Sequence, residues 1–180
     1  MRIFIGIGTI VVVILMTAMN AASSVRWADK LINYTSELSP REASAAQVLG
    51  SPNVMPDFGY SPSAWMPKAV YGRNLESIVV GFSNPIYAQQ IAVNENYFSG
   101  TIAQIILFDS LDKAQIIYET KAQKLSNAGT IFRTYFEKTK FKVHKVELKV
   151  NAAIAYKGMQ IDAIAVSDEK SDIQINIKKY

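Results

Sequence analysis

The side chains that could do chemistry together are Asn53, Asp57, Tyr60 and Trp65, which share one stretch, and Glu95 and Asp162, which lie on strands beyond it. Asn53, Asp57, Glu95 and Asp162 supply only oxygen, and with loop carbonyls they form the donor set that calcium takes, which makes calcium the candidate cofactor. The rings of Tyr60 and Trp65 match the C–H surface of a sugar, although a tryptophan followed by Met66-Pro67 at a loop end also reads as core. Glu95 continues the face of Ile91 and Val93, and Asp162 that of Ile164 and Val166, so strict alternation turns both acids toward an apolar side. An unpaired charge there is costly unless it is hydrogen-bonded, paired or bound to a cation. Two readings stay open. Either each acid binds backbone N–H groups or Arg73 and pins the long loop, or the acids join Asn53 or Asp57 around calcium. Paired carboxylates also serve glycoside hydrolysis, but sequence alone gives no separation between them.

Other chemistries lack their residues. His144 is the only histidine, so a histidine-rich metal site is excluded. It shares parity with Val146, Leu148 and Val150, which makes it a strand residue near the core boundary, and no nucleophile-elbow sequence accompanies it. Cysteine is absent, which removes disulfides, thiolate catalysis, zinc ribbons and a lipidated-cysteine anchor. Gly100 and Gly129 stand alone and build no phosphate cradle. The net charge of +4 is scattered, with a mild lysine excess from Lys138 to Lys149. Lysines alternating with apolar residues, as from Lys145 to Val150, are the wet face of a strand, and no basic stripe with stacking aromatics points to nucleic acid.

The candidate residues need a scaffold, and a composition of 49% hydrophobic and 19% charged residues provides one real core. Residues 45–65 hold Gly50, Gly59, Pro52, Pro56 and Pro62, punctuation that neither helix nor strand tolerates. The stretch is therefore a long ordered loop after one helical turn at Ser44 to Leu49, with Val48, Leu49, Val54, Met55, Phe58, Tyr60 and Trp65 to pack it down. A strand-like segment at Leu31 to Thr35 precedes it. After it the pattern has period two: Ile78, Val80 and Phe82 share a face in a strand that stops near Asn84-Pro85, and Ile91 and Val93 share one in the next. Further strands fit 101–108, 115–120, 130–136, 145–150 and 160–166, and alternation of Ile173, Ile175 and Ile177 adds a C-terminal edge strand. Such spacing with turns between predicts an antiparallel sandwich. At the front, Arg2 and an apolar run from Ile3 to Met19 make residues 1–22 a signal peptide or a membrane anchor, with small residues around Ala21 to Ser24 where cleavage would fall. Either way residues 25–180 lie outside the cytoplasm.

The order of these motifs resembles a family. Trp27-Ala28, Thr35-Ser36, Leu49-Gly50-Ser51-Pro52-Asn53-Val54, Gly59, Ala64-Trp65, the strand ending in Glu95-Asn96-Tyr97-Phe98-Ser99-Gly100-Thr101, and Ile161-Asp162-Ala163 follow the pattern of a galactose-binding-like, discoidin-related β-sandwich. That domain occurs in bacterial envelope proteins, often beside OmpA-type domains, and at the front of a mitochondrial F-box protein with leucine-rich repeats. Ser99 stands where the pattern has proline, and Thr35 replaces its first serine. The resemblance implies a jelly-roll sandwich and binding rather than catalysis, without naming the ligand. The expectation is thus an all-β, antiparallel, galactose-binding-like sandwich over residues 25–180 behind a hydrophobic leader helix at 1–22. It would act as an exported, non-enzymatic binding or adhesion module at the cell envelope, recognising a glycan or an envelope protein through Asn53, Asp57, Tyr60 and Trp65, supported by Glu95 and Asp162. The alternatives are a membrane-anchored structural protein, touching the membrane only through an uncleaved leader, and a carboxylate-dependent glycoside hydrolase.

Overall fold

The computed structural model describes residues 24–54, 57–68, 75–121, 125–155 and 158–175; the expected leader helix, Arg73 and Ile177 lie outside them. The period-two segments form strands β1 (Val25–Trp27), β2 (Lys30–Tyr34), β3 (Glu76–Tyr87), β4 (Gln90–Tyr97), β5 (Ile102–Phe108), β6 (Ala114–Glu119), β7 (Thr130–Tyr135), β8 (Lys142–Val150) and β9 (Gln160–Ser167). They make a four-stranded sheet ordered β1-β9-β4-β7 and a five-stranded sheet ordered β2-β3-β8-β5-β6. Every pairing is antiparallel. The expected all-β sandwich is what the chain builds.

The inner faces close on one apolar core that includes Trp65, Ile78, Val80, Ile91, Val93, Ile105, Leu107, Val146, Leu148 and Ile164, all with no exposed surface. β1 and β2 run as one extended segment that changes sheets at Ala28 and Asp29, whose N–H groups donate to Ile164 O (2.9 Å) and Gly81 O (3.1 Å). Register sets Tyr97 opposite Gln160 in one sheet and Glu76 opposite Val150 in the other. The short 98–101 turn joins these sheets, so the β2–β3, β4–β5, β6–β7 and β8–β9 connections gather at one end of the sandwich. The β3–β4, β5–β6 and β7–β8 connections gather at the other.

Three expectations change. β3 does not stop at Asn84-Pro85 but runs on to Tyr87, because its register to β8 breaks between Gly81 and Ile86 and the proline, which has no N–H, falls in that break. The C-terminal edge strand is absent from residues 168–175. Instead Ile173, only 3% exposed, presses onto Ala92 and Ala165 beside Val25, Trp27 and Ile131, on the outer face of the four-stranded sheet. Third, Asp162 leaves the inner side: Asn94 pairs with Ala163 but Glu95 with Ile161, so a bulge at Asp162 slips the alternation by one residue. Ile161 then joins the core and Asp162 turns outward beside Asn94.

Leu148, in the central strand of the larger sheet, has no exposed surface. Leu148→Ala should cost about 3 kcal/mol through lost burial and the cavity left behind. Urea unfolding should show this as a lower midpoint with an unchanged slope, and a midpoint equal to wild type would contradict the core assignment.

Candidate functional site

The β2–β3 loop begins with a 3-10 turn, Ala45–Val48, and leaves it through Gly50 (φ 89°), whose N–H donates to Ala28 O (2.8 Å). The chain then crosses the outer face of the four-stranded sheet, where β4 and β9 offer polar side chains in place of apolar ones. Asn94, Asn96, Gln160 and Asp162 are each no more than 1% exposed. Loop backbone buried without partners would be costly, and these side chains supply the partners. Asp162 Oδ2 accepts the N–H groups of Asn53 (3.1 Å) and Val54 (3.2 Å) together with Asn94 Nδ2 (2.8 Å). Asn96 donates from Nδ2 to Gly59 O (2.8 Å), and its backbone carbonyl accepts the Gly59 N–H (2.7 Å). Gln160 accepts the Ser61 N–H at Oε1 (2.8 Å) and donates back to Ser61 O from Nε2 (2.6 Å). Between Asn53 and Ser61 the loop is fastened at three places by side chains acting as a strand would.

Of the two readings of the acids, hydrogen bonding to backbone N–H groups is the one observed, and the acids divide the work. Asp162 holds the long loop. Glu95 holds the β4–β5 turn, accepting at Oε1 from Gly100 N–H (2.9 Å) and Thr101 N–H (3.3 Å). Burial pushes the carboxyls of Glu95 and Asp162 above the usual range, and the N–H donors aimed at them pull the other way. These donors take Glu95 Oε1 and both oxygens of Asp162, the acids expected to face calcium. Among the described residues no group of three or more His, Cys, Asp or Glu converges to hold a metal ion.

Trp65 also changes role. It has no exposed surface, its Nε1 donates to Ser36 O (3.0 Å), and its backbone bridges Ile161 (2.8 and 2.9 Å). The ring is core and offers no face to a ligand. What remains at the surface are Asn53, Asp57 and Tyr60, joined by Phe58, with Tyr60 49% and Phe58 43% exposed. Tyr60 donates its hydroxyl to Glu42, which holds the phenol above its usual range, and its ring meets Tyr97 edge-on at 6.2 Å. Tyr97 in turn meets Phe98 edge-on at 4.6 Å. Phe58 lies over Gly129, where a Cβ would collide with the ring, so the loop at 125–129 backs the aromatic rim. Sequence reasoning took Phe58 as packing and gave Asn94, Asn96 and Gln160 no role in the site. The signal for Asn94 and Asn96 is their place on the second face of β4, in line with Ala92.

A family model described as "Pappalysin-1, SD scarf domain, C-terminal" matches residues 18–176. Among curated proteins nothing matches the sequence. Solved structures share the fold. The family 32 carbohydrate-binding module of C. perfringens NanJ, in complex with galactose, superposes with a TM-score of 0.55 at 12% identity, covering 80% of this chain and 99% of that one. A second module, CpGH89CBM32-4 of Clostridium perfringens in complex with GlcNAc-α-1,4-galactose, gives 0.54 at 9% identity, over 84% of this chain and 99% of that one. Reduced XRCC1 bound to the DNA pol beta catalytic domain gives 0.55 at 9% identity, over 77% and 95%. The expected galactose-binding-like, discoidin-related sandwich is therefore the fold of this chain.

Removing the clamp should loosen the loop without melting the sheets. Asp162→Ala leaves the Asn53, Val54 and Asn94 donors unpaired and should cost about 3 kcal/mol. Limited proteolysis should then cut within residues 50–64 before any strand; cutting at the wild-type rate would remove Asp162 from the loop's support. The pH dependence follows from the raised carboxyl. Just above the ordinary carboxylate range the folded chain binds more proton at Asp162 than the unfolded chain, so this contribution is fully present below that range and is lost as pH rises through the raised value. Wild type should gain stability relative to Asp162→Asn on going from about pH 7 to about pH 5, the span above the ordinary carboxylate value. A constant difference between the two would show that Asp162 is not shifted.

Proposed function

We propose that this chain, which belongs to the pappalysin-1 C-terminal SD scarf domain family, is an exported, non-catalytic module that binds a glycan at the cell envelope. The observation that carries this reading is the rim itself: the exposed Phe58 and Tyr60 rings beside Asn53 and Asp57, on a loop whose backbone is fastened underneath. Flat aromatic faces remove the C–H side of a sugar from water, and the neighbouring polar groups of Asn53 and Asp57 select among its hydroxyls. A fastened loop has little freedom left to lose on binding. Support also comes from structural neighbours whose complexes hold galactose or GlcNAc-α-1,4-galactose, which makes galactose-containing glycans the first ligands to try. In this reading Glu95 and Asp162 support the rim and take no part in hydrolysis, since each is only 1% exposed and occupied by N–H donors. Residues 1–22 would carry the chain out of the cytoplasm.

The test is a glycan array probed with the full chain, with calcium and with chelator. Saturable binding to galactose-containing glycans is expected, equal in both conditions. Tyr60→Ala should weaken it at least about tenfold, roughly 1.4 kcal/mol, while leaving the unfolding midpoint near wild type, because the ring is half exposed. Trp65→Ala is no substitute, since it empties the core. A folded chain that binds no glycan, or binds equally with Phe58 and Tyr60 both replaced by alanine, would overturn the reading and turn the same rim toward an envelope protein.

A further inference from the structure

The end of the sandwich away from the loop rim carries a different surface. Between the β5–β6 turn and the β7–β8 connection lies a cleft of about 510 Å³, walled by Asp109, Lys113, Glu137, Lys138, Lys140 and Phe141 among others. A smaller cleft of about 180 Å³ shares Lys138 as a wall and adds Tyr87, Lys142 and Asp168. Lys113, Lys138, Lys140 and Lys142 are all exposed.

The acids among these residues keep their charge, but each faces a partner other than the ammonium groups of the cleft lysines. Asp109 Oδ1 accepts the N–H groups of Leu111 (2.8 Å) and Lys113 (2.9 Å), closing the β5–β6 turn. Glu137 pairs with Lys170 (3.4 Å), and Asp168 Oδ1 accepts the Ser24 N–H (2.7 Å). Asp112, next to the cleft, pairs with Lys145. Among the described residues, Lys113, Lys138, Lys140 and Lys142 make no ion pair with any of these carboxylates. The backbone that presents them is held in place. Thr139, 5% exposed, donates from its hydroxyl to Phe141 O (2.7 Å) and accepts the Ala88 N–H (3.0 Å), while its own N–H donates to Ala88 O (2.8 Å). With Thr139 drawn inward, its neighbours Lys138 and Lys140 are both left at the surface.

We propose that these two joined clefts are a second binding site, for a linear polysaccharide bearing sulfate or carboxylate groups. Spaced ammonium groups along a run of surface favour repeated anions over a single one, since among the described residues no cradle of several donors closes on one point there. Concavity favours a polymer strand over a bilayer, because a flat membrane would reach only the rims. The site is separate from the aromatic rim and does not depend on the reading given to it.

The test uses the full chain against heparin and polygalacturonate, with neutral dextran and phosphatidylserine vesicles alongside. Wild type should bind both polyanions at about 50 mM salt and release them as ionic strength rises, as screening requires. Lys138→Glu/Lys140→Glu should weaken binding about tenfold or more, and Lys138→Gln/Lys140→Gln should weaken it by less. A control variant separates a site from general charge: Lys30→Glu/Lys121→Glu makes the same change of net charge at exposed positions elsewhere and should bind polyanion as wild type does. Unfolding midpoints of the lysine variants should match wild type. Equal loss in the Lys30/Lys121 and Lys138/Lys140 pairs would overturn the proposal, as would binding to the vesicles without binding to either polysaccharide.

Discussion

Everything distinctive about this sandwich depends on one buried carboxylate meeting two backbone N–H groups. Asp162 reaches Asn53 and Val54 because a bulge in β9 turns it to the outer face of the sheet, and Asn94 completes its donors from β4. Neither partner would be tolerable alone. A buried ionised acid without donors would protonate or leave the interior, and loop amides laid on a sheet face without acceptors would prefer water. Asn96 and Gln160 repeat the bargain with neutral groups at Gly59 and Ser61. The result is irregular chain tied to the sheet at Asn53, Val54, Gly59 and Ser61.

The outer face of the four-stranded sheet is shared between two covers of opposite chemistry. Near the rim it is polar and takes the loop. Farther along it is small and apolar, where Ala92 and Ala165 receive Ile173 from the C-terminal segment and Asp172 is held by Tyr135 and Arg133. Small residues on β4 and β9 let backbone approach closely, and polar ones let it stay. The two ends of the molecule diverge in the same way: one gathers exposed rings over a fastened loop, the other gathers lysines whose neighbouring acids face other partners.

Much of this was legible in the sequence, and the failures share a cause. Period-two runs marked β3 to β9 to within a few residues, because each strand buries one face in a common core. The glycines and prolines of 50–62 marked the long loop, and the motif order from Trp27 to Ala163 marked the family of folds. Alternation failed where register breaks. The break between Gly81 and Ile86 carries β3 past Pro85, and the bulge at Asp162 reverses which side that acid faces; an extra residue in one strand leaves no trace in a periodic pattern. Trp65 was read as a ligand stack or as core, and its complete burial with Nε1 donating to Ser36 O decides between them. Asn94, Asn96 and Gln160 drew no reading, since sequence does not say that a loop 37 residues before Asn96 and 99 before Gln160 will be laid over them.

Hydrogen exchange of the loop amides tests the clamp most directly. If buried side chains fasten the loop, the N–H groups of Asn53, Val54, Gly59 and Ser61 should be protected to nearly the level of the β4 amides, and Asp162→Ala should release Asn53 and Val54 while β4 stays protected. Exchange of all four at the rate of open chain in the wild-type protein would contradict the account, because a loop free in solution could not hold the aromatic rim in place.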